Sequence, residues 1–161
     1  MLFRSGILNP FLLTIALAEN AATNGAEYYF GNEVIDIKRV DDIYNIKTKK
    51  DTYKTRWVVN AAGLYSDKVS KMLGIDDYTI HPCRGEYFIL DEKVGSKLSL
   101  PAYPVPNPKE GGLGIHLTPT IDGNVFIGPS SEYIDERDDY SATQKIMDLL
   151  IKDGGRIFPH I

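Results

Sequence analysis

The chain has 161 residues, 43% of them hydrophobic, a formal net charge of -4 and one cysteine, Cys83. That is enough apolar material for one ordinary domain with a sizeable core, or for two partial ones, and it excludes a disordered chain. The acidic balance excludes nucleic acid as a partner, because phosphate neutralisation needs clustered Lys and Arg. The densest basic run, Lys47, Lys49 and Lys50, reads as a solvated hairpin end.

In chain order, Arg4 and the apolar run Phe11 to Ala18 superficially resemble a signal peptide. The flanks argue for a helix instead. Asn9 is an N-cap, Pro10 suits the first helical position, and Gly25 is a stop, so a helix is expected from Pro10 to about Asn24. Glu27 to Phe30 and Glu33 to Ile37 have strand composition. A hairpin follows, with strands over Ile43 to Thr48 and Tyr53 to Val59 around a turn near Lys50-Asp51. Ser66 to Leu73 reads as a short helix with Val69, Met72 and Leu73 inward, ended by Gly74. From Asp76 onward most of the prolines appear, which places a domain crossing near there. Tyr78 to Leu90 reads as a strand broken at Pro82 and Gly85. Leu113 to Thr118 and Asn124 to Ile127 form a hairpin around Asp122-Gly123. Ser141 and Gln144 make a capping box for a last helix that Gly154 ends.

The stretch Val58-Val59-Asn60-Ala61-Ala62-Gly63 passes from a buried-strand pattern to residues with almost no side chain, then into a helix. Such a turn admits a close neighbour, either another piece of chain or the phosphates of a nucleotide. His81, His116 and His160 lack the close pairing of a zinc site, so no metal is expected. No Gly-x-Ser-x-Gly elbow supports a hydrolase triad, and Gly111-Gly112-Leu113-Gly114 runs into a strand, which suits flexibility better than phosphate binding. His116, in an apolar and Thr-containing strand, is either hydrogen-bonded in the core or faces a cavity. Arg84 and Glu86 alternate about Gly85 and share a face, where an internal ion pair accounts for both; as an alternative, Arg84 holds an anionic substrate. Tyr87 points the other way.

Gly6 to Pro10, Asn60-Ala61-Ala62-Gly63, Arg84-Gly85-Glu86-Tyr87, and Leu113 to Thr118 followed by Ile121-Asp122-Gly123 and Gly128-Pro129 occur in a diagnostic order. Together they resemble the FAD-dependent oxidoreductases of the D-amino-acid oxidase superfamily, within it the glycerol-3-phosphate dehydrogenase and L-2-hydroxyglutarate oxidase branches. Tyr103 to Pro108 and His116 lean towards the hydroxyglutarate branch, and Pro119-Thr120 and Gly128 to Glu132 towards the glycerol-phosphate branch. The resemblance implies cofactor contacts at Val34, Ala61, Ala62 and Gly63. It also places Arg84, Glu86 and Tyr87 in the substrate region, with His116 as the catalytic base or hydroxyl-orienting group. Asn9 stands where the family often has Asp, and both cap a helix.

The glycine-rich phosphate loop and acidic ribose ligand that open such enzymes are not found in this sequence. The chain is therefore expected to be an internal fragment, inactive and without stable FAD binding by itself. The expected fold class is α+β: part of a Rossmann-like FAD-binding domain over 1–75 and part of a mixed or antiparallel-sheet substrate domain over 76–161. The parent is expected to use FAD to oxidise the secondary alcohol of a small anionic substrate. Its expected setting is the cytoplasm, with peripheral association at the inner face of the membrane left open. Apolar surface left on the Pro10 helix and on Trp57 to Val59 would favour self-association. The rival readings are a self-contained small-ligand binding module and an interaction domain without cofactor.

Overall fold

A computed structural model describes residues 6–105 and 114–159. Helix α1, Pro10–Thr23, begins where the sequence predicts. The Asn9 Oδ1 accepts from the backbone N–H groups of Phe11 and Leu12 at 3.0 and 3.1 Å, and Pro10 has no N–H to leave unsatisfied. No residue of α1 is buried, and Phe11 is 77% exposed. Residues 24–82 form one compact unit; α1 groups with the residues from Cys83 onward in the other.

Within 24–82, β1 (Val34–Val40), β2 (Ile43–Thr48) and β3 (Thr52–Thr55) form an antiparallel sheet in that order. Ile37 stands opposite Ile46 and is the buried apolar residue of this sheet. Thr48 closes the second turn: its backbone N–H donates to the Asp51 carbonyl at 2.8 Å and its hydroxyl accepts from Asp51 N–H at 2.9 Å. One expected strand is not formed and another is cut short. Glu27 to Phe30 has no ladder; Tyr28 stacks on Phe30, and the Tyr29 ring meets that of Tyr53 at a tilt, 5.1 Å between centroids. The third strand stops at Thr55, four residues short of Val59, because the Thr55 hydroxyl donates to the Trp57 carbonyl and bends the chain out of register. Trp57 and Val59 are then 85% and 89% exposed. A short 3-10 turn, Gly63–Tyr65, leads into α2, Ser66–Met72, and Gly74 with φ 76° follows its end, as expected. Val69, Met72 and Leu73 are half-buried, while Asp67 and Ser70 are the buried residues of α2.

In the second unit, β4 (Cys83–Arg84) and β5 (Phe88–Leu90) are the parts of the expected interrupted strand that form, whereas its first piece, Tyr78 to His81, makes no ladder. A single-turn helix that sequence reading did not foresee, α3 (Glu92–Gly95), is capped by Asp91. The hairpin β6 (His116–Pro119) and β7 (Val125–Gly128) turns at Asp122-Gly123 as the sequence predicts. Strand β8 (Glu132–Tyr133) pairs with β4, and the larger sheet has the order β5-β7-β6, all antiparallel. Helix α4, Gln144–Ile157, covers one face of that sheet: Leu117, Val125 and Ile127 pack with Ile146 and Leu150. Burying an aliphatic side chain of this kind stabilises by roughly 1.5–3 kcal/mol, so these five residues are the main cohesion of the unit.

The start and end of α4 both differ from expectation. Its N-cap is Thr143, not Ser141, because the Ser141 hydroxyl accepts from the Arg84 guanidinium at 2.7 Å. Its interior includes Gly154, because the helix crosses β7 there; a Cβ on Gly154 would lie 2.9 Å from both Cδ1 and Cγ2 of Ile127. The glycine permits a close approach and does not stop the helix.

Arg84 and Glu86 form the internal pair that alternation suggests, within a larger network. Arg84 Nη2 lies 3.4 Å from Glu86 and 2.9 Å from Glu132, and Nη1 lies 2.5 Å from Asp139. The Glu86 carboxylate also accepts from the Thr143 N–H at 2.6 Å, tying β4 and β8 to the start of α4. Burial works against the Arg84 charge, but the hydrogen bond to Glu132 and the Asp139 and Glu86 carboxylates outweigh it and raise its pKa. Hydrogen bonds from Ser141, first from its hydroxyl and then from its backbone N–H, together with Arg84, hold the Asp139 carboxyl below its ordinary range.

Three outcomes are expected. Gly154→Ala should destabilise by about 1–2 kcal/mol in urea unfolding, because overpacking against stiff, buried Ile127 exceeds the helix-propensity gain of about 1 kcal/mol. Gly155→Ala, with nothing within 4 Å of its Cβ position, should stabilise by up to about 1 kcal/mol. A stabilising Gly154→Ala would show that Ile127 can move aside. For acid sensitivity, a carboxyl with a lowered folded pKa contributes its full stability above its unfolded pKa, and loses it as pH falls through the folded value. Melting temperature should therefore fall less steeply below about pH 4 in Asp139→Asn than in the parent sequence; equal slopes would remove Asp139 as a cause.

Candidate active site

The larger sheet has two unlike faces. The register aligns Phe88, Ile127 and Leu117, and one step along it Ile89, Phe126 and Thr118. Successive side chains alternate, so the first row faces α4 and the second faces away. One step from the first row in the opposite direction gives Tyr87, Gly128 and His116, on the same face as the second row: His116 pairs with Gly128, and a Cβ on Gly128 would stand 2.8 Å from Cδ1 of Tyr87. At φ 145° this position both conforms to and is filled by glycine alone, which lets the Tyr87 ring lie over the strand. Tyr87 and Ile89 are 52% and 58% exposed, and the Tyr87 ring is 5.8 Å from that of Phe126. This open face is the candidate site.

His116 sits on it half-buried, with Nδ1 2.9 Å from the Gly114 carbonyl oxygen. The Tyr103 ring stacks on the imidazole at 4.6 Å between centroids. Tyr103 is brought there because Ala102 exchanges both backbone hydrogen bonds with Leu117, at 2.9 and 3.0 Å. The expected substrate residues are divided between the faces. Tyr87 shares the open face with His116; Glu86, 7% exposed, and Arg84 belong to the ion network on the α4 side. Sequence reading missed Gly128, Phe126 and Tyr103 as site residues. The alternation around the Asp122-Gly123 turn could have found the first two, but the Ala102 pairing had no sequence signal.

The expected cofactor residues lie in the 24–82 unit. Val34 opens β1, half-buried opposite Thr48, beside an irregularity between Val34 and Asp36. Ala61, Ala62 and Gly63 are exposed, and nothing stands within 4 Å of a Cβ on Gly63, whose φ is 55°. The turn is held from below. The Asn60 side-chain amide donates to the Ser66 carbonyl at 2.7 Å and to the Ser70 hydroxyl at 3.1 Å, and its Oδ1 accepts from Ala62 N–H at 3.3 Å. The result is a braced turn with open backbone, which fits a nucleotide lying alongside it. Among the described residues no group of His, Cys, Asp or Glu is arranged to hold a metal, and no helix is long and apolar enough to cross a membrane. His160 and Gly111 to Leu113 lie outside the described residues.

Comparison with known proteins agrees with this reading of the fold. A glycerol 3-phosphate dehydrogenase of Caloramator mitchellensis is 40% identical over 147 residues, covering 91% of this chain and 30% of that protein. An L-2-hydroxyglutarate dehydrogenase of Indibacter alkaliphilus is 32% identical over 143 residues, covering 88% of this chain and 36% of that protein. The chain thus spans about a third of the length of the curated relatives it matches. Among solved structures, the dithionite-reduced L-alpha-glycerophosphate oxidase of Mycoplasma pneumoniae with FAD bound superposes with a TM-score of 0.76 at 26% identity, over 94% of this chain and 40% of that one. The glycine oxidase of Bacillus cereus ATCC 14579, 22% identical, shares the fold with a TM-score of 0.76 over 91% of this chain and 38% of that one. Residues 1–161 all match the family described as DAO, FAD dependent oxidoreductase, and the chain belongs to that family.

Proposed function

We propose that this chain is the part of a longer FAD-dependent dehydrogenase or oxidase that sets an imidazole beside the secondary alcohol of a small anionic substrate. The observation that carries this is the row Tyr87, Gly128 and His116 on the open face of a sheet whose other face is sealed by α4. FAD, when bound, supplies the acceptor for the hydride that leaves the alcohol carbon. His116 takes the hydroxyl proton on the ring edge away from Gly114, so the alcohol leaves as a ketone with atoms and charge balanced. Tyr87, standing on Gly128, borders the substrate on the other side.

Arg84 is assigned to the scaffold and not to the substrate, because three carboxylates already surround its charge. The ligands for the anionic end of the substrate then come from parts of the enzyme outside this chain. Val34 and the Ala61-Ala62-Gly63 turn border the adenine nucleotide half of the cofactor. The 40% identity with a glycerol 3-phosphate dehydrogenase, against 32% with an L-2-hydroxyglutarate dehydrogenase, puts glycerol 3-phosphate first and L-2-hydroxyglutarate second. The setting proposed is the cytoplasm, in keeping with the single, unpaired Cys83.

The longer protein, with the upstream sequence, should purify yellow and titrate with FAD, whereas the 161-residue chain should not retain flavin. A colourless longer protein that takes up none would sink the enzyme reading. In that flavin-loaded protein, turnover of glycerol 3-phosphate and L-2-hydroxyglutarate should be compared directly. His116→Ala should lower kcat by about 10²- to 10⁴-fold, the usual worth of a general base. Unchanged kinetics would return His116 to a structural role.

A further inference from the structure

His116 is held from two sides. Its Nδ1 is 2.9 Å from the carbonyl oxygen of Gly114, and a carbonyl oxygen only accepts, so Nδ1 carries a proton. In the neutral ring the lone pair is therefore on Nε2, at the opposite edge, which has no hydrogen-bond partner among the described residues. Tyr103 lies against the ring with planes 29° apart. Both supports are anchored in the backbone. Ala102 is paired with Leu117, the residue after His116. Gly114, with φ 70°, comes close enough to Pro104 that a Cβ would stand 3.1 Å from Pro104 Cγ. The segment 102–104 thus touches the strand, the imidazole and the loop that supplies the carbonyl.

We propose that Tyr103 is a positioning residue that, with the Gly114 carbonyl, selects the Nδ1–H tautomer of His116 and presents Nε2 as the proton acceptor. Stacking limits rotation about the imidazole plane, and the carbonyl decides which nitrogen holds the proton. Other ring orientations would place Nδ1 away from its acceptor or the ring off Tyr103, losing one contact or both. The catalytic meaning of this device rests on the reading of His116 as the base; the tautomer itself does not.

Long-range proton–nitrogen spectra of the ¹⁵N-labelled 161-residue protein, at a pH where the imidazole is neutral, read the tautomer without any flavin. The wild type should show a protonated Nδ1 and an unprotonated Nε2 for His116. Tyr103→Ala should shift the ratio about 2- to 10-fold towards Nε2–H, and Tyr103→Phe should keep the wild-type ratio because its ring still stacks. Tyr103 is 47% exposed, so truncation leaves the core intact. A wild-type Nε2–H ring, or a ratio unmoved by Tyr103→Ala, overturns the proposal. In the flavin-loaded longer protein, Tyr103→Ala should lower kcat about 10-fold with KM little changed, and Tyr103→Phe should restore it. His116→Ala separates the two readings: unaffected turnover there, with the tautomer shift intact, removes His116 as base and upholds its positioning by Tyr103.

Discussion

Ile127 lies on Gly154 with no room for a methyl group between them, and that seam decides which way the larger sheet faces. Leu117, Val125 and Ile127 are each at most 2% exposed beneath α4. Burial of each is worth roughly 1.5–3 kcal/mol, whereas a hydrogen bond such as that of His116 is worth about 0.5–1.5 kcal/mol. The aliphatic residues therefore set the register, and the functional side chains follow from it. A slip of one residue would send His116 into the core and Leu117 to the open face, so stability and function depend on the same alignment. The glycine at 128 belongs to this arrangement, because any side chain there would meet Tyr87 and the Glu86 carbonyl.

The charges are arranged on the same principle of separation. Arg84, Glu86, Glu132 and Asp139 gather on the α4 side, where they join β4, β8 and the start of α4. Glu86 is the member that would be costly to leave unpaired, since it is buried and its carboxylate accepts from Arg84 and Thr143 together. The open face carries no member of this network. Its polar groups are His116, Thr118 and Tyr87 among aromatic and aliphatic neighbours, a composition suited to a small organic substrate with a few oriented contacts.

The 24–82 unit follows another logic. Its sheet needs only the Ile37–Ile46 pairing and the Thr48 turn, and its Ala61-Ala62-Gly63 turn is braced through Asn60 while leaving its own backbone open. Trp57 and Val59 extend from it without a ladder, and α1 in the other unit likewise shows apolar side chains to solvent. In a family whose relatives are about three times as long as this chain, such surfaces are natural places for further packing.

Local physical chemistry made several elements legible in the sequence. Asn9-Pro10 can cap and start a helix without help, Asp122-Gly123 turns a hairpin by backbone preference, and strict alternation puts Arg84 with Glu86 and Tyr87 on the other side. The misread elements each depend on a distant partner. Ser141 looks like a cap until Arg84, 57 residues away, takes its hydroxyl. Gly154 looks like a helix stop until Ile127 is seen lying on it, and Val58-Val59 looks like a strand although no described strand pairs with it. The order of short motifs identified the family, because each motif reflects a turn or strand end that backbone geometry itself demands. Only the tertiary structure placed Arg84 among three carboxylates and Tyr103 against His116. Those contacts join residues far apart in the chain, and neither periodicity nor propensity carries information across such distances.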